Sequence, residues 1–336
     1  MKINFKNIGI AALFVLSAIT RNSAQDYAVA LKTPAVYNHY HLNPFLVNPA
    51  ATGADGVSTI LLNYRDQWAG FPNSPKGFTL GINGAPVNNM GIGGLIYSEN
   101  YGVANRFIGQ GNYAYHFKAG SNVFSLGLAG SYIQYSLDND VITDPQHQGT
   151  DPTINEALNG EKYFAADLGF NVDIAQKYFL GVSIPHIVET ALDNKSSSTS
   201  NTGNADRPVN FFALLGARFK LPDYRMVLEP SVGLKKISDV PFGTDVNIIA
   251  KMLDEKLFGG FTYSFGPSSH RLVFLGGVRL DKFKFFYSYD QSYADFQGYN
   301  NGSHELTLSV DLYKLKPKMM KQEPMPETAP PSMENK

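Results

Sequence analysis

His39, Tyr40 and His41 stand together in the run Tyr37-Asn38-His39-Tyr40-His41, which could offer two imidazoles to a metal ion. Protein zinc sites draw three or four ligands from the chain, and no third ligand stands at a usable spacing. Asp138, Asp140 and Asp144 bring carboxylates close together, as a calcium loop does. The central Gly and closing bidentate Glu of such a loop are missing, so they read as solvated loop carboxylates. His270 and His304 would need a Ser or Asp beside them on the wall to serve a hydrolase, and no partner is seen placed for either. No Gly-rich phosphate loop opens a helix after a strand, and no His-Glu-x-x-His or paired-Cys framework occurs. The expectation is a chain that is not an enzyme, with no catalytic residue, cofactor or metal ligand.

The elements that would carry these residues are extended. In Val123 to Tyr135, Phe124, Leu126, Leu128 and Tyr132 fall on one parity, and Ser125, Gly127, Ala129 and Ser131 on the other. A strand with that pattern has one bulky apolar face and one face of small or polar groups. Glu161 to Ile174 repeats it, with Ala166, Leu168, Phe170, Val172 and Ile174 against Asp167, Gly169, Asn171 and Asp173. The last copy sets Leu306, Leu308, Val310 and Leu312 against Glu305, Thr307, Ser309 and Asp311. A mean hydropathy of -0.17 does not exclude a bilayer, because averaging along a strand cancels its two faces.

About fourteen such stretches can be counted, an even number as in bacterial single-chain membrane barrels. They run over 56–68, 76–85, 90–99, 106–117, 123–137, 161–174, 177–186, 207–220, 225–236, 242–253, 256–265, 270–280, 282–292 and 303–313. With both termini in the periplasm, the short turns at 86–89, 118–122, 175–176, 221–223, 254–255 and 280–281 all fall on the periplasmic side. Asp138 to Gly160 and Ile187 to Asp206 then fall outside, the latter low in complexity and expected to be mobile.

Lys2 and Lys6 precede the apolar run Ile8 to Ile19, and small Ala24 offers a cleavage position: a secretory signal. The run is too short for a spanning helix, which takes about 20 apolar residues. The chain has no cysteine, hence no disulfide and no thiolate chemistry. Its formal net charge of -1 gives no field to gather nucleic acid.

Two stretches carry a resemblance. Asn43-Pro44-Phe45-Leu46-Val47-Asn48-Pro49-Ala50, followed by Tyr64-Arg65-Asp66-Gln67-Trp68-Ala69-Gly70-Phe71 and Pro75-Lys76, resembles the opening signature of the PorP/SprF family of Bacteroidetes outer-membrane proteins. Gly302-Ser303-His304-Glu305-Leu306-Thr307-Leu308 resembles that family's closing strand. For Arg65, Gln67 and Trp68 a structural role is favoured, with Trp68 at the membrane interface and Arg65 inside the barrel beside a carboxylate.

The resemblance implies an outer-membrane barrel of the type IX secretion system that docks, secretes or anchors a surface protein, such as a gliding adhesin. Its implied partners are a large cargo bearing a type IX C-terminal domain, the periplasmic components and the lipid bilayer. The expected organisation is a signal peptide over 1–24, a periplasmic or lumen-plugging arm over 25–55, a barrel over 56–313 and a disordered periplasmic tail over 314–336. Such a barrel is too narrow for a folded adhesin, which favours a docking platform over a conduit. Partner binding would use the outer loops, around Asp138, Asp144 and Asp151 in the first and Lys195 and Asp206 in the second. The alternative is a barrel for diffusion of small or hydrophobic solutes.

Overall fold

A computed structural model describes residues 35–138, 160–192, 210–237, 240–266, 269–293 and 300–314. The strands are β1 (Val57–Asp66), β2 (Lys76–Val87), β3 (Met90–Tyr101), β4 (Ala104–Ala119), β5 (Asn122–Leu137), β6 (Glu161–Ile174), β7 (Tyr178–Ala191), β8 (Phe211–Ala217), β9 (Phe219–Leu221), β10 (Met226–Ile237), β11 (Val240–Met252), β12 (Leu257–Gly266), β13 (Ser269–Leu280), β14 (Phe283–Ser292) and β15 (Ser303–Lys314). β8 and β9 both pair with β10 and form one stave interrupted at Arg218. Each stave pairs antiparallel with the next, and β1 pairs with β15, from Val57↔Lys314 to Asp66↔His304. The result is a closed antiparallel barrel of fourteen staves.

The period-2 alternation sets the faces. In β5, Leu126 and Leu128 are 54% and 56% exposed on the outside, while Ser125 and Ser131 are buried inside. Leu306 and Leu308 of β15 point out, and Glu305, Thr307 and Ser309 point in. The outer wall is a band of Leu, Ile, Phe and Tyr, the lipid-facing surface of a membrane barrel, enclosing a polar interior. No helix among the described residues is long and apolar enough to cross a membrane.

One end of the barrel carries the tight turns. Ala175 and Gln176 both have positive φ (52° and 56°), the hairpin geometry that matches strand twist. Leu253, Asp254, Glu255 and Asp281 also have positive φ in turns at this end. There Arg225 clasps Asp254, and this hydrogen-bonded pairing holds the Asp254 carboxyl below its ordinary range. β1 begins and β15 finishes at this turn end. The opposite, loop end carries Gln67 to Pro75 and the connections spanning 138–160, 192–210 and 293–302.

Several boundaries differ from the sequence reading. Asn100 to Asn105 is not a loop: Asn100 pairs with Asn105 and Tyr101 with Ala104, leaving a turn at Gly102 (φ 62°) and Val103. β7 does not stop at Pro185-His186. A register shift against β6 gives His186 a positive φ and sends its N–H to Asp167 Oδ1 (2.8 Å), so the strand absorbs the proline and continues to Ala191. Residues 187–191 therefore belong to the wall, not to the second outer loop.

Candidate functional site

Residues 35–56 lie inside the lumen. Their prolines shape this path: Asn43 and Asn48 each precede a proline that starts a single 3-10 turn, Pro44–Leu46 and Pro49–Ala51. Proline fits a first helical position and blocks extension of the helix in the other direction. Asn48 locks the second turn, accepting from the Ala50 N–H (2.9 Å) and donating to the Phe170 carbonyl (3.0 Å) on β6.

The arm meets the wall on many sides. The Tyr37 hydroxyl lies 3.1 Å from Thr79 Oγ1 on β2, and the Tyr40 hydroxyl donates to Asp245 Oδ2 (3.3 Å) on β11. Ser183 Oγ of β7 donates to the Val47 carbonyl (2.6 Å). On β4, His116 Nε2 lies 2.9 Å from the Thr52 carbonyl. A carbonyl can only accept, so Nε2 carries the proton and Nδ1 accepts from the Ser125 hydroxyl (2.7 Å). Tyr37, Tyr40, Phe45 and Leu46 pack with Leu61, Leu95, Tyr97 and Leu214 of the wall, forming an apolar core across the lumen.

Lower down, the wall is cut away to receive the arm's backbone. A Cβ at Gly127 would stand 2.1 Å from the Ala50 nitrogen, and one at Gly91 would stand 1.9 Å from the Thr52 carbonyl oxygen. Neither contact is possible, so these positions admit the arm only as glycine.

Glu305 joins the arm to the barrel's closing seam. Its Oε2 accepts from the Asn38 N–H (2.8 Å) and Arg65 Nη1 (3.0 Å); its Oε1 accepts from Asn63 Nδ2 (2.9 Å) and the His39 N–H (3.3 Å). Arg65 Nη2 reaches Asp290 Oδ2 (3.1 Å), which also accepts from Arg271 Nη1 (2.6 Å). A fully enclosed carboxylate is stable only when paired and hydrogen-bonded in this way.

The two stretches that carry the family resemblance therefore meet in space. Arg65 faces Glu305 across the β1–β15 seam. Beyond the seam, the Trp68 N–H donates to Ser303 Oγ (3.2 Å), the Ala69 N–H to the Gly302 carbonyl (2.7 Å), and the Gln67 N–H to the Pro75 carbonyl (2.9 Å). Trp68 packs edge-on to Tyr101, and Phe71 is exposed at the loop end. Gly70 and Gly302 both take positive φ (84° and 82°).

Other residues singled out in the sequence lie apart. His304 points outward, 2.7 Å from the Tyr287 hydroxyl, and His270 lies 3.2 Å from that of Tyr263. His39 faces Thr307 (2.7 Å) while His41 stacks edge-on against Tyr40. Among the described residues no three His, Cys, Asp or Glu side chains gather as a metal site. The Asp138 N–H donates to the Val103 carbonyl (2.7 Å). Asp140, Asp144, Asp151, Lys195 and Asp206 lie outside the described residues. Asn38, Asn63, Asp245, Asp290 and the seat glycines were not singled out. For those on the strands, the one sequence signal is that they are polar or small on inward parities; Asn38, in the arm, has no such signal.

Beside the arm, in the loop-end half of the lumen, is a cavity of about 120 Å³. Val36, Leu46, Leu95, Ile108 and Phe212 line it together with the polar Ser131, Asp167 and Lys235.

The family model described as type IX secretion system membrane protein PorP/SprF matches residues 29–310. Among solved structures, the chain is similar to the CymD monoaromatic hydrocarbon channel, with 10% identity over 84% of this chain and 94% of that one and a TM-score of 0.48. It is similar to the outer membrane protein Omp33 of Acinetobacter baumannii, with 6% identity over 76% of this chain and 100% of that one and a TM-score of 0.44. It is also similar to the P. putida toluene transporter TodX, with 10% identity over 81% of this chain and 95% of that one and a TM-score of 0.44. No curated protein matches the chain.

Proposed function

The chain belongs to the PorP/SprF family of type IX secretion system membrane proteins, and on that premise we propose that this outer-membrane barrel docks and anchors a secreted surface protein. The observation that supports a platform over a conduit is the arm hydrogen-bonded to β2, β4, β6, β7, β11 and β15, which occupies the lumen a polypeptide would have to pass. The loop end faces outward and receives the cargo, because membrane barrels keep long loops outside and short turns in the periplasm. The turn end and the tail after Lys314 face the periplasmic components. Residues 1–24 are the export signal, removed before assembly.

Deleting residues 193–209 tests this reading. The cut lies wholly beyond β7, so the barrel should still assemble while cargo moves from the cell surface into the medium. Surface cargo at the wild-type level in a strain carrying the assembled deletion would refute the docking role of this loop.

The second reading is a diffusion barrel for small or hydrophobic solutes, favoured by the loop-end cavity. It requires the arm to leave the lumen. Planar-bilayer recordings separate the two: a platform shows no steady conductance in the wild-type protein, and a diffusion barrel does.

A further inference from the structure

The arm has a direction. Tyr37 bonds Thr79, and Asn38 and His39 bond Glu305, positions close to the loop-end tips of β2 and β15. The Phe45 ring lies against Gly81, midway along β2. Asn48 reaches Phe170 in the turn-end half of β6, Ala50 sits on Gly127, and Thr52 meets His116 near the turn-end tip of β4. At Gly56 the chain reverses and β1 climbs back from Val57 to Asp66. The arm thus descends the lumen from the loop end to the turn end. Tyr37 stands at the top of this descent, and Val36 before it is 41% exposed. Beneath them Tyr40, Phe45 and Leu46 pack against Leu61, Leu95, Tyr97 and Leu214 of the wall.

We propose that the arm enters the lumen from the loop end, so that Val36, its exposed start, opens on the outer face of the cell while Thr52 lies at the turn end. This is the reverse of the periplasmic N-terminus read from the sequence. β15 ends at Lys314 at the turn end, opposite Val36. The side on which the loops lie rests on the orientation given under the proposed function; the direction of the arm does not.

Because the chain has no cysteine, single introduced thiols report sidedness without background. Val36→Cys probes the leading end, Val103→Cys the loop end and Tyr224→Cys the turn end; all three positions are exposed. The reagent is a polymer-linked maleimide too large to cross the outer membrane, applied to intact and to permeabilised cells. The expected result is labelling of Val36→Cys and Val103→Cys on intact cells and of Tyr224→Cys only after permeabilisation. Val36→Cys labelled only after permeabilisation overturns the proposal. If Val103→Cys still labels on intact cells in that case, the fault lies in the arm's direction and the orientation stands. If Val103→Cys also needs permeabilisation while Tyr224→Cys labels on intact cells, the orientation itself has failed.

Discussion

Glu305 gathers four donors: two backbone N–H groups of the arm, the Asn63 amide and the Arg65 guanidinium. Truncating it leaves Arg65 with Asp290 as its remaining carboxylate partner and releases the ties to the Asn38 and His39 N–H groups of the arm. Removing one member of a buried ion pair costs about 3–5 kcal/mol, so Glu305→Ala should lower barrel stability by that order. Glu305→Gln keeps the shape and part of the hydrogen bonding, and should lose less. Urea unfolding from lipid vesicles measures both, with the single tryptophan, Trp68, as a fluorescent reporter beside the seam. Equal losses for the two variants would show that charge, not hydrogen-bond geometry, decides the site.

At the scale of elements, the arm and its seat are complementary in backbone, not merely in side chains. Gly127→Val would drive a side chain into Ala50 and should expel the 48–52 stretch from its seat, leaving β5 intact because valine suits a strand. Gly276→Val is the control, since a Cβ there meets nothing within 4 Å. The expected outcome is raised planar-bilayer conductance and faster proteolysis of the arm for Gly127→Val alone; a closed lumen in both variants would show that the seat does not hold the arm. The strands were legible because alternation in stretches such as Val123 to Tyr135 is a local property that needs no partner. The seat was not. Gly91, Gly127 and Gly169 read only as small inward residues, and what makes them necessary is a segment 38 or more positions earlier in the chain. The continuation of β7 past Pro185 was hidden for a similar reason: the bulge that accommodates the proline depends on Asp167, a residue of the neighbouring strand. Arg65 and Glu305 were each visible as motif residues, but their contact exists only once the first and last strands are side by side.

For the molecule as a whole, the outer face must match lipid and the inner face must hold an arm. Leu128, in the middle of β5 and more than half exposed outside, tests the first requirement. Leu128→Arg should destabilise the barrel by about 2–4 kcal/mol, the cost of a cation at the bilayer midplane, read as a shift in the urea midpoint of the vesicle-embedded protein. An unchanged midpoint would place Leu128 against protein instead of lipid. The seam at Glu305 has a consequence for biogenesis. The residue that fastens the first part of the chain to emerge is delivered by almost the last part, and the same residue lies in the strand that turns an open sheet into a cylinder. A polypeptide cut short before that strand has an unpaired edge and an untethered leader at once. Quality-control proteases would find both faults in the same molecule, so the architecture checks its own length before it becomes resistant to them.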